Sequence, residues 1–250
     1  MPELHLQQEA LKIVSEGKER EITVRLVGGL AVACRCPVAS NLPSLRREYQ
    51  DIDFVAHRRE SRQLRALMEE LGYVGDRRFN AVNGDRRLLY ANPETELLVD
   101  VFLDIFIMCH EFDFTDRLAI DEETLTLADL LLTKLQVVEA TVKDLGDTFT
   151  LLLEYPLTDD DRGINLQYIV AICANDWGLQ TLVSDRLVEL RTRVFQFQLD
   201  QEQVSKILGR ISEMEVALSN STKSRRWKLR AAIGRHKKWY EIPEEKARDT

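Results

Sequence analysis

The chain carries ITVRLVGGLAVA at residues 22–33 and REYQDIDFVA at residues 47–56, and these two segments decide the fold. The apolar and β-branched residues up to Val27 predict a strand, and the residues after Gly29 predict a helix. Glycines at such a junction let a phosphate approach the backbone amides at a helix N-terminus. The same glycine pair is also typical of a plain tight turn. The first segment therefore predicts a strand, a turn and a helix, with phosphate binding as one interpretation.

Three aspartates accompany the glycine turn. Asp51 and Asp53 alternate with Ile52, so on a strand both carboxylates project from one face. Asp100 lies within the apolar run LLVDVF at residues 97–102, which predicts a neighbouring buried strand. Clustered carboxylates repel one another unless a cation lies between them, and Mg²⁺ prefers oxygen ligands. The three aspartates therefore predict a magnesium site.

In their order along the chain, these elements resemble the nucleotidyltransferase superfamily of DNA polymerase β type, in particular its branch of AbiE-type toxins. Arg47 matches the arginine that precedes the two aspartates in this family, and Tyr49 replaces its usual threonine or serine. The resemblance covers approximately residues 20–155. It implies an α/β (α+β) nucleotidyltransferase domain with a small mixed β-sheet, followed by a C-terminal α-helical bundle.

The resemblance also implies an activity. It is the Mg²⁺-dependent transfer of a nucleoside monophosphate from an NTP such as ATP to a hydroxyl acceptor, with two Mg²⁺ ions, or Mn²⁺ in their place. The catalytic and metal-binding residues would be Asp51, Asp53 and Asp100. The nucleotide-binding residues would be Gly28, Gly29, Arg47, Tyr49 and Lys134. A toxin of this branch would have an antitoxin protein as its partner.

Lys134 lies in the helical segment that resembles the one following the catalytic domain in the toxin-like branch. The resemblance implies that Lys134 reaches a nucleotide phosphate and that Asp144 and Asp147 line the cleft between domains. An ordinary amphipathic helix with solvated charges is the alternative for all three side chains.

The hydrophobic periodicity of the sequence changes near residue 120. Before it, strand-like and helical runs alternate, at residues 51–56, 61–71, 87–91 and 97–107. After it, almost every segment has helical periodicity, at residues 125–141, 144–154, 165–175, 180–198 and 201–220. This predicts a catalytic domain over residues 1–120 and a helical domain over residues 121–250. Three consecutive aspartates at residues 159–161 lie in a turn-rich break, where solvated or capping side chains are favoured over metal ligands.

The positive charge is concentrated near the C-terminus. The formal net charge is -8, yet residues 223–238 contain eight Lys or Arg and no acid, so the remainder carries about -16. With Trp227 and Trp239 among these cations, the segment would bind RNA through its phosphates and unpaired bases. The alternative is a helix that docks Trp227, Leu229 and Ile233 on the bundle while its basic face pairs with the acidic body.

Composition predicts a cytoplasmic protein that contains no zinc and does not bind a membrane. No apolar run approaches the roughly 20 residues that cross a bilayer, and residues 1–8 lack the pattern of a signal peptide. The four cysteines, at positions 34, 36, 109 and 173, show neither a disulfide framework nor paired zinc spacing. They are expected to be reduced and mostly buried.

Two functions remain open at this stage. The first is nucleotidyl transfer to RNA, protein or a small molecule. The second is a catalytically inactive module that binds nucleotide, RNA or a protein partner, for which the Tyr49 substitution gives a reason. The sequence alone chooses neither the acceptor nor the preferred NTP.

Overall fold

A computed structural model describes residues 2–242 of the chain, with side chains from residue 5 onward. Its central feature is a five-stranded mixed sheet in the order β1-β2-β5-β4-β3. The strands are β1 (Val24–Val27), β2 (Asp51–Ala56), β3 (Val74–Gly75), β4 (Arg87–Ala91) and β5 (Leu98–Leu103). Within this sheet the β2–β5 pair is parallel, and the β1–β2, β5–β4 and β4–β3 pairs are antiparallel. The strands predicted at residues 51–56 and 87–91 are therefore confirmed.

Alternating burial fixes the orientation of the central strands. Ile52 and Phe54 of β2 are fully buried, as are Val99 and Val101 of β5. Alternate residues of a strand face opposite sides, so this apolar face forces Asp53 onto the other side of the sheet. The core thus determines where the carboxylates point.

Four helices accompany this sheet along the chain: α1 (Pro2–Glu19), α2 (Gly28–Arg35), α3 (Ser61–Glu70) and α4 (Arg77–Asn83). Two short strands follow it, β6 (Ile105–Ile107) and β7 (Glu111–Asp113). The predicted run over residues 97–107 is divided between β5 and β6 because Asp104 takes a positive φ of 61°. A single residue in that conformation ends regular strand pairing.

The later part of the chain is helical. Its helices are α5 (Leu127–Leu135), α6 (Val142–Glu154), α7 (Leu166–Asn175), α8 (Trp177–Arg193), α9 (Gln201–Asn220) and α10 (Arg225–Ile233), with a short strand pair between α6 and α7, β8 (Leu157–Thr158) and β9 (Ile164–Asn165). The helix predicted over residues 201–220 is confirmed as α9, and Asp200 and Gln203 form a capping box at its N-terminus. Asp176 caps α8, so that helix begins earlier than the periodicity predicts.

The chain forms two compact units. The first comprises the described residues of Met1–Arg35, Arg47–Phe106 and Glu111–Thr126, and the second those of Cys36–Arg46, Ile107–His110 and Leu127–Thr250. The mixed α+β class and the C-terminal helical region are as predicted. The ranges 1–120 and 121–250 stay predictions, and residues 243–250 of the second range lie outside the described residues.

Two composition-based expectations can be compared with the structure. All four cysteines are free thiols; Cys34 is half-buried and the other three are buried. Among the described residues, no helix is both long and apolar enough to cross a membrane.

Candidate active site

The turn between β1 and α2 lies directly against Asp53. Gly28 has a φ of 75°, a conformation that side-chain-bearing residues rarely adopt. A Cβ atom at this position would lie 2.4 Å from Oδ2 of Asp53. The neighbouring residue Val27 pairs with Asp53 across the antiparallel β1–β2 ladder, which explains the close approach. Glycine is therefore needed at position 28 both for the backbone conformation and for the space.

Asp53 also adjoins the third predicted aspartate. In the parallel β2–β5 ladder Asp53 is the direct partner of Asp100, and Asp51 is the partner of Leu98. Residues directly opposite one another on adjacent strands point to the same face, with backbones about 5 Å apart. Asp51 is exposed, Asp53 is half-buried and Asp100 is only 9% exposed. The sheet therefore brings Gly28, Asp53 and Asp100 together, and Asp51 lies two positions along the same face.

Arg87, which the sequence analysis does not single out, engages Asp100. Nε of Arg87 donates to both carboxylate oxygens at 2.8 Å, and Nη2 makes a further contact with Oδ2. The guanidinium lies 4.8 Å from the ring centre of Phe102 and 5.7 Å from that of Phe79. Forked ion pairs of this kind are stronger and more directional than single contacts. Arg87 therefore compensates the charge of Asp100 and fixes its orientation.

The carboxylates suit a magnesium ion in their donor chemistry. Asp51 and Asp53 share one strand face, and Mg²⁺ in phosphoryl-transfer sites is commonly held by one or two carboxylates plus substrate phosphates. Among the described residues, however, no set of three or more His, Cys, Asp or Glu side chains is arranged to hold a metal ion. Arg87 already contacts both oxygens of Asp100. The fit to an ion thus rests on Asp51 and Asp53, with Asp100 beside them.

Arg47 and Tyr49 precede β2. The guanidinium of Arg47 lies 4.3 Å from the centre of the Tyr49 ring, a cation–π contact. The replacement of the family's threonine or serine by Tyr49 thus coincides with a contact to the matching arginine. Both side chains are half-buried.

Lys134 lies in the second unit, on α5, in a mostly buried ion-pair cluster. Its Nζ is 2.8 Å from Oδ2 of Asp147 and 3.3 Å from Oδ1 of Asp144, and the Lys134 side chain is 11% exposed. Solvated charges, the alternative for this helix, do not describe Lys134 or Asp147. Burial by itself would raise the pKa of Asp144, but Lys134 and the hydrogen bonds from Thr141 outweigh it and lower this pKa.

The aspartate run at residues 159–161 contains a local ion pair. Asp160 accepts a hydrogen bond from the guanidinium of Arg162 at 2.8 Å, and both side chains are largely exposed. This loop is consistent with the interpretation that its carboxylates are solvated.

Comparison with known proteins does not assign this chain to a family. No family profile and no curated protein matches the sequence. One structural match is the antibiotic-resistance factor ANT(2'')-Ia, with 13% identity, a TM-score of 0.42, and coverage of 78% of this chain and 99% of the other. Another is JHP933 from Helicobacter pylori, with 12% identity, a TM-score of 0.43, and coverage of 93% and 98%. At these values neither match identifies a ligand or a reaction for this chain.

Proposed function

We propose that this protein is a nucleotidyltransferase that moves a nucleoside monophosphate from an NTP to a hydroxyl acceptor. The observation that carries the proposal is the contact of the Gly28 turn with Asp53, which itself pairs with Asp100 on the adjacent strand. A turn at a helix N-terminus binds phosphate, and adjacent carboxylates bind the cation that phosphate brings. The close approach of the Gly28 turn to Asp53 supports this combination.

Each residue has a role in the proposed reaction. The backbone amides of Gly28 and Gly29 bind the β- and γ-phosphates, and Arg47 and Tyr49 contact the nucleotide. Asp51 and Asp53 would hold Mg²⁺, which when bound neutralises developing phosphate charge. The acceptor oxygen forms a bond to the α-phosphorus while the bond from that phosphorus to pyrophosphate breaks. The acceptor proton passes to a site carboxylate, and Arg87 keeps Asp100 oriented.

Two further features belong to this proposal. The cation requirement is proposed as two Mg²⁺ ions, which Mn²⁺ would replace, with Asp51, Asp53 and Asp100 as the carboxylates that would hold them. A toxin-like role with an antitoxin partner is proposed from the resemblance of the sequence. Expression of the wild-type protein should then slow bacterial growth, whereas expression of Asp53→Asn should not.

The decisive experiment measures Mg²⁺-dependent binding of nucleotides. Isothermal titration with non-hydrolysable analogues of the four NTPs, with and without Mg²⁺, is carried out on wild type, Asp53→Asn and a control, Asp116→Asn. Asp116 is an exposed acid of the same unit. Mg²⁺-dependent binding that only Asp53→Asn loses supports the proposal. Equal binding by all three proteins would overturn it.

A second candidate is a nucleotide-binding module without turnover. The observation that favours it is the engagement of both Asp100 oxygens by Arg87. Release of pyrophosphate from NTP in the presence of RNA, protein and small-molecule acceptors distinguishes the two. Nucleotide binding with no pyrophosphate release under any of these conditions would favour the second candidate.

A further inference from the structure

The basic segment in the second unit is anchored at both ends and leaves a cleft beneath it. The Ser224 amide donates to the Ala174 carbonyl at 3.0 Å, and the Glu241 amide donates to the Cys109 carbonyl at 2.9 Å. Between these two hydrogen bonds lie α10 and the return segment, residues 234–240. The cleft has a volume of about 510 Å³. It is lined by His110, the α7–α8 junction, one face of α10 and Trp239.

Arg230 holds this cleft in shape. Its guanidinium donates to the carbonyls of Gly234 and Lys237, both at 2.7 Å, and lies 4.6 Å from the centre of the Trp177 ring. Trp177 in turn meets Trp239 edge to face, with centroids 5.9 Å apart. These contacts connect the return segment to the start of α8. The cleft is therefore formed before any ligand arrives.

The α10 face that lines the cleft exposes apolar side chains. Leu229 is 74% exposed and Ile233 is 46% exposed. The expectation that these two residues dock on the helical bundle is therefore wrong. Trp227 is half-buried, and the indole N–H of Trp239 has no hydrogen-bond acceptor among the described residues. The apolar face thus stays open beside aromatic rings.

Exposed cations lie in the cleft and close to it along the chain. Arg226 lines the cleft, and Arg225 and Lys237 are exposed near other lining residues in the sequence. None of these three forms an ion pair with a described residue. Arg235 does pair with the body, through Asp185 at 2.6 Å, as the docking alternative expects for the basic face. The three exposed cations, which have no ion-pair partner among the described residues, are complementary to a polyanion.

We propose that this cleft, with its rim of exposed cations, binds single-stranded nucleic acid. Exposed cations neutralise phosphates, and the apolar and aromatic surfaces contact unpaired bases, which a duplex would keep stacked. An acidic peptide would complement the positive charge, but it lacks the flat rings that would stack on the aromatic side chains. An anionic membrane would complement the charge and only part of the apolar face. The cleft lies within the second unit, so this binding requires neither NTP nor metal. It stands apart from the proposed transfer reaction.

The experiment uses the full chain and intrinsic fluorescence. Two of the three tryptophans of the protein, Trp177 and Trp239, line the cleft, so a change in tryptophan emission reports its occupancy. Twelve-nucleotide single-stranded RNA and DNA are titrated in 0.1 M salt without NTP, and a labelled RNA gives an independent anisotropy signal. The variant is Arg225→Ala/Arg226→Ala. Its matched control, Arg62→Ala/Lys206→Ala, removes two exposed cations elsewhere.

The expected loss follows from counterion release. Each phosphate contact on a single strand contributes about -0.7 to the salt slope, so two lost contacts weaken binding roughly 25-fold at 0.1 M salt. The control should change affinity by less than about twofold, and the variant slope should be shallower by about 1.4.

Three results would overturn the proposal. They are no binding by the wild type, equal losses in variant and control, and displacement of RNA by a short poly-glutamate peptide or by anionic vesicles at equal charge concentration. Because the titration omits NTP, its failure leaves the proposed nucleotidyl transfer untouched. Failure of the nucleotide titration likewise leaves this binding site untouched.

Discussion

Replacement of Gly28 by alanine tests the proposed geometry most directly. The added Cβ would lie 2.4 Å from Oδ2, 3.2 Å from Cγ and 3.4 Å from Cβ of Asp53. Because β2 holds the Asp53 backbone in the middle of the sheet, the carboxylate can yield only by rotation about its side-chain bonds. The substitution therefore displaces the carboxylate that would hold the metal.

The expected loss of stability in Gly28→Ala has two contributions. A side chain at the φ of Gly28 costs about 1–2 kcal/mol, and an off-rotamer Asp53 adds about 0.5–1.5 kcal/mol. The free energy of unfolding should therefore fall by about 1.5–3.5 kcal/mol. Misplacement of a reacting group by about 1 Å costs on the order of 100-fold in rate, so activity should fall much further than stability.

Gly72 provides a matched control. Its φ is 86°, and a Cβ there would meet no atom within 4 Å. Gly72→Ala should therefore lose only the backbone part, about 1–2 kcal/mol. Urea unfolding compares the stabilities, and titration with Mn²⁺ and an NTP analogue compares binding. If folded Gly28→Ala binds the Mn²⁺–nucleotide complex as well as Gly72→Ala does, the Gly28 turn has no part in the site.

Three other predictions follow from ion pairs. Arg87→Gln should lower the free energy of unfolding by about 1–3 kcal/mol in urea and should tighten Mn²⁺ binding, because a repelling guanidinium is removed; unchanged Mn²⁺ affinity would contradict this. Lys134→Met should cost about 3–5 kcal/mol, because a buried carboxylate loses its partner, and a loss below about 1 kcal/mol would argue against the cluster. The pKa of Asp144 is lower in the folded protein, so its stabilising contribution is present above the ordinary aspartate pKa of 3.8 and disappears as pH falls through the lowered value. Asp144→Asn should flatten that acid limb of the unfolding curve.

The sequence predicts the strands well because their signal is local. Alternation of apolar residues around Ile52 and Phe54 fixes both the strand and its buried face, and that face fixes the direction of Asp53. The pairing of Asp53 with Asp100 requires the parallel register of β2 and β5, which no local pattern contains. The local pattern predicts that Asp51 and Asp53 share a face and that Asp100 lies on a neighbouring strand, but the direct pairing of Asp53 with Asp100 is visible only in the structure.

The ion-pair partners of Arg87 and Lys134 could not be predicted from the sequence. A charged residue at the start of a strand usually indicates solvent, and only the β4–β5 register reveals that Arg87 reaches Asp100. A signal does exist, since a carboxylate inside an apolar run requires a nearby cation or hydrogen-bond donor. For Lys134 the ambiguity between phosphate ligand and solvated charge arises because burial depends on how α5 and α6 pack. Neither helix contains that information alone.

The carboxylates of Asp53 and Asp100 are both restricted in their movement, which bears on the proposed cation site. At about 5 Å and an effective dielectric constant of about 20, two unit negative charges repel by roughly 3 kcal/mol. Gly28 limits the movement of Asp53, and Arg87 limits that of Asp100, so neither carboxylate can simply swing away. Arg87 already offsets the charge of Asp100, so only part of this repulsion is left for a divalent ion to relieve. In the proposed reaction, the ion would therefore bind first at Asp51 and Asp53, and removal of Arg87 should strengthen its binding.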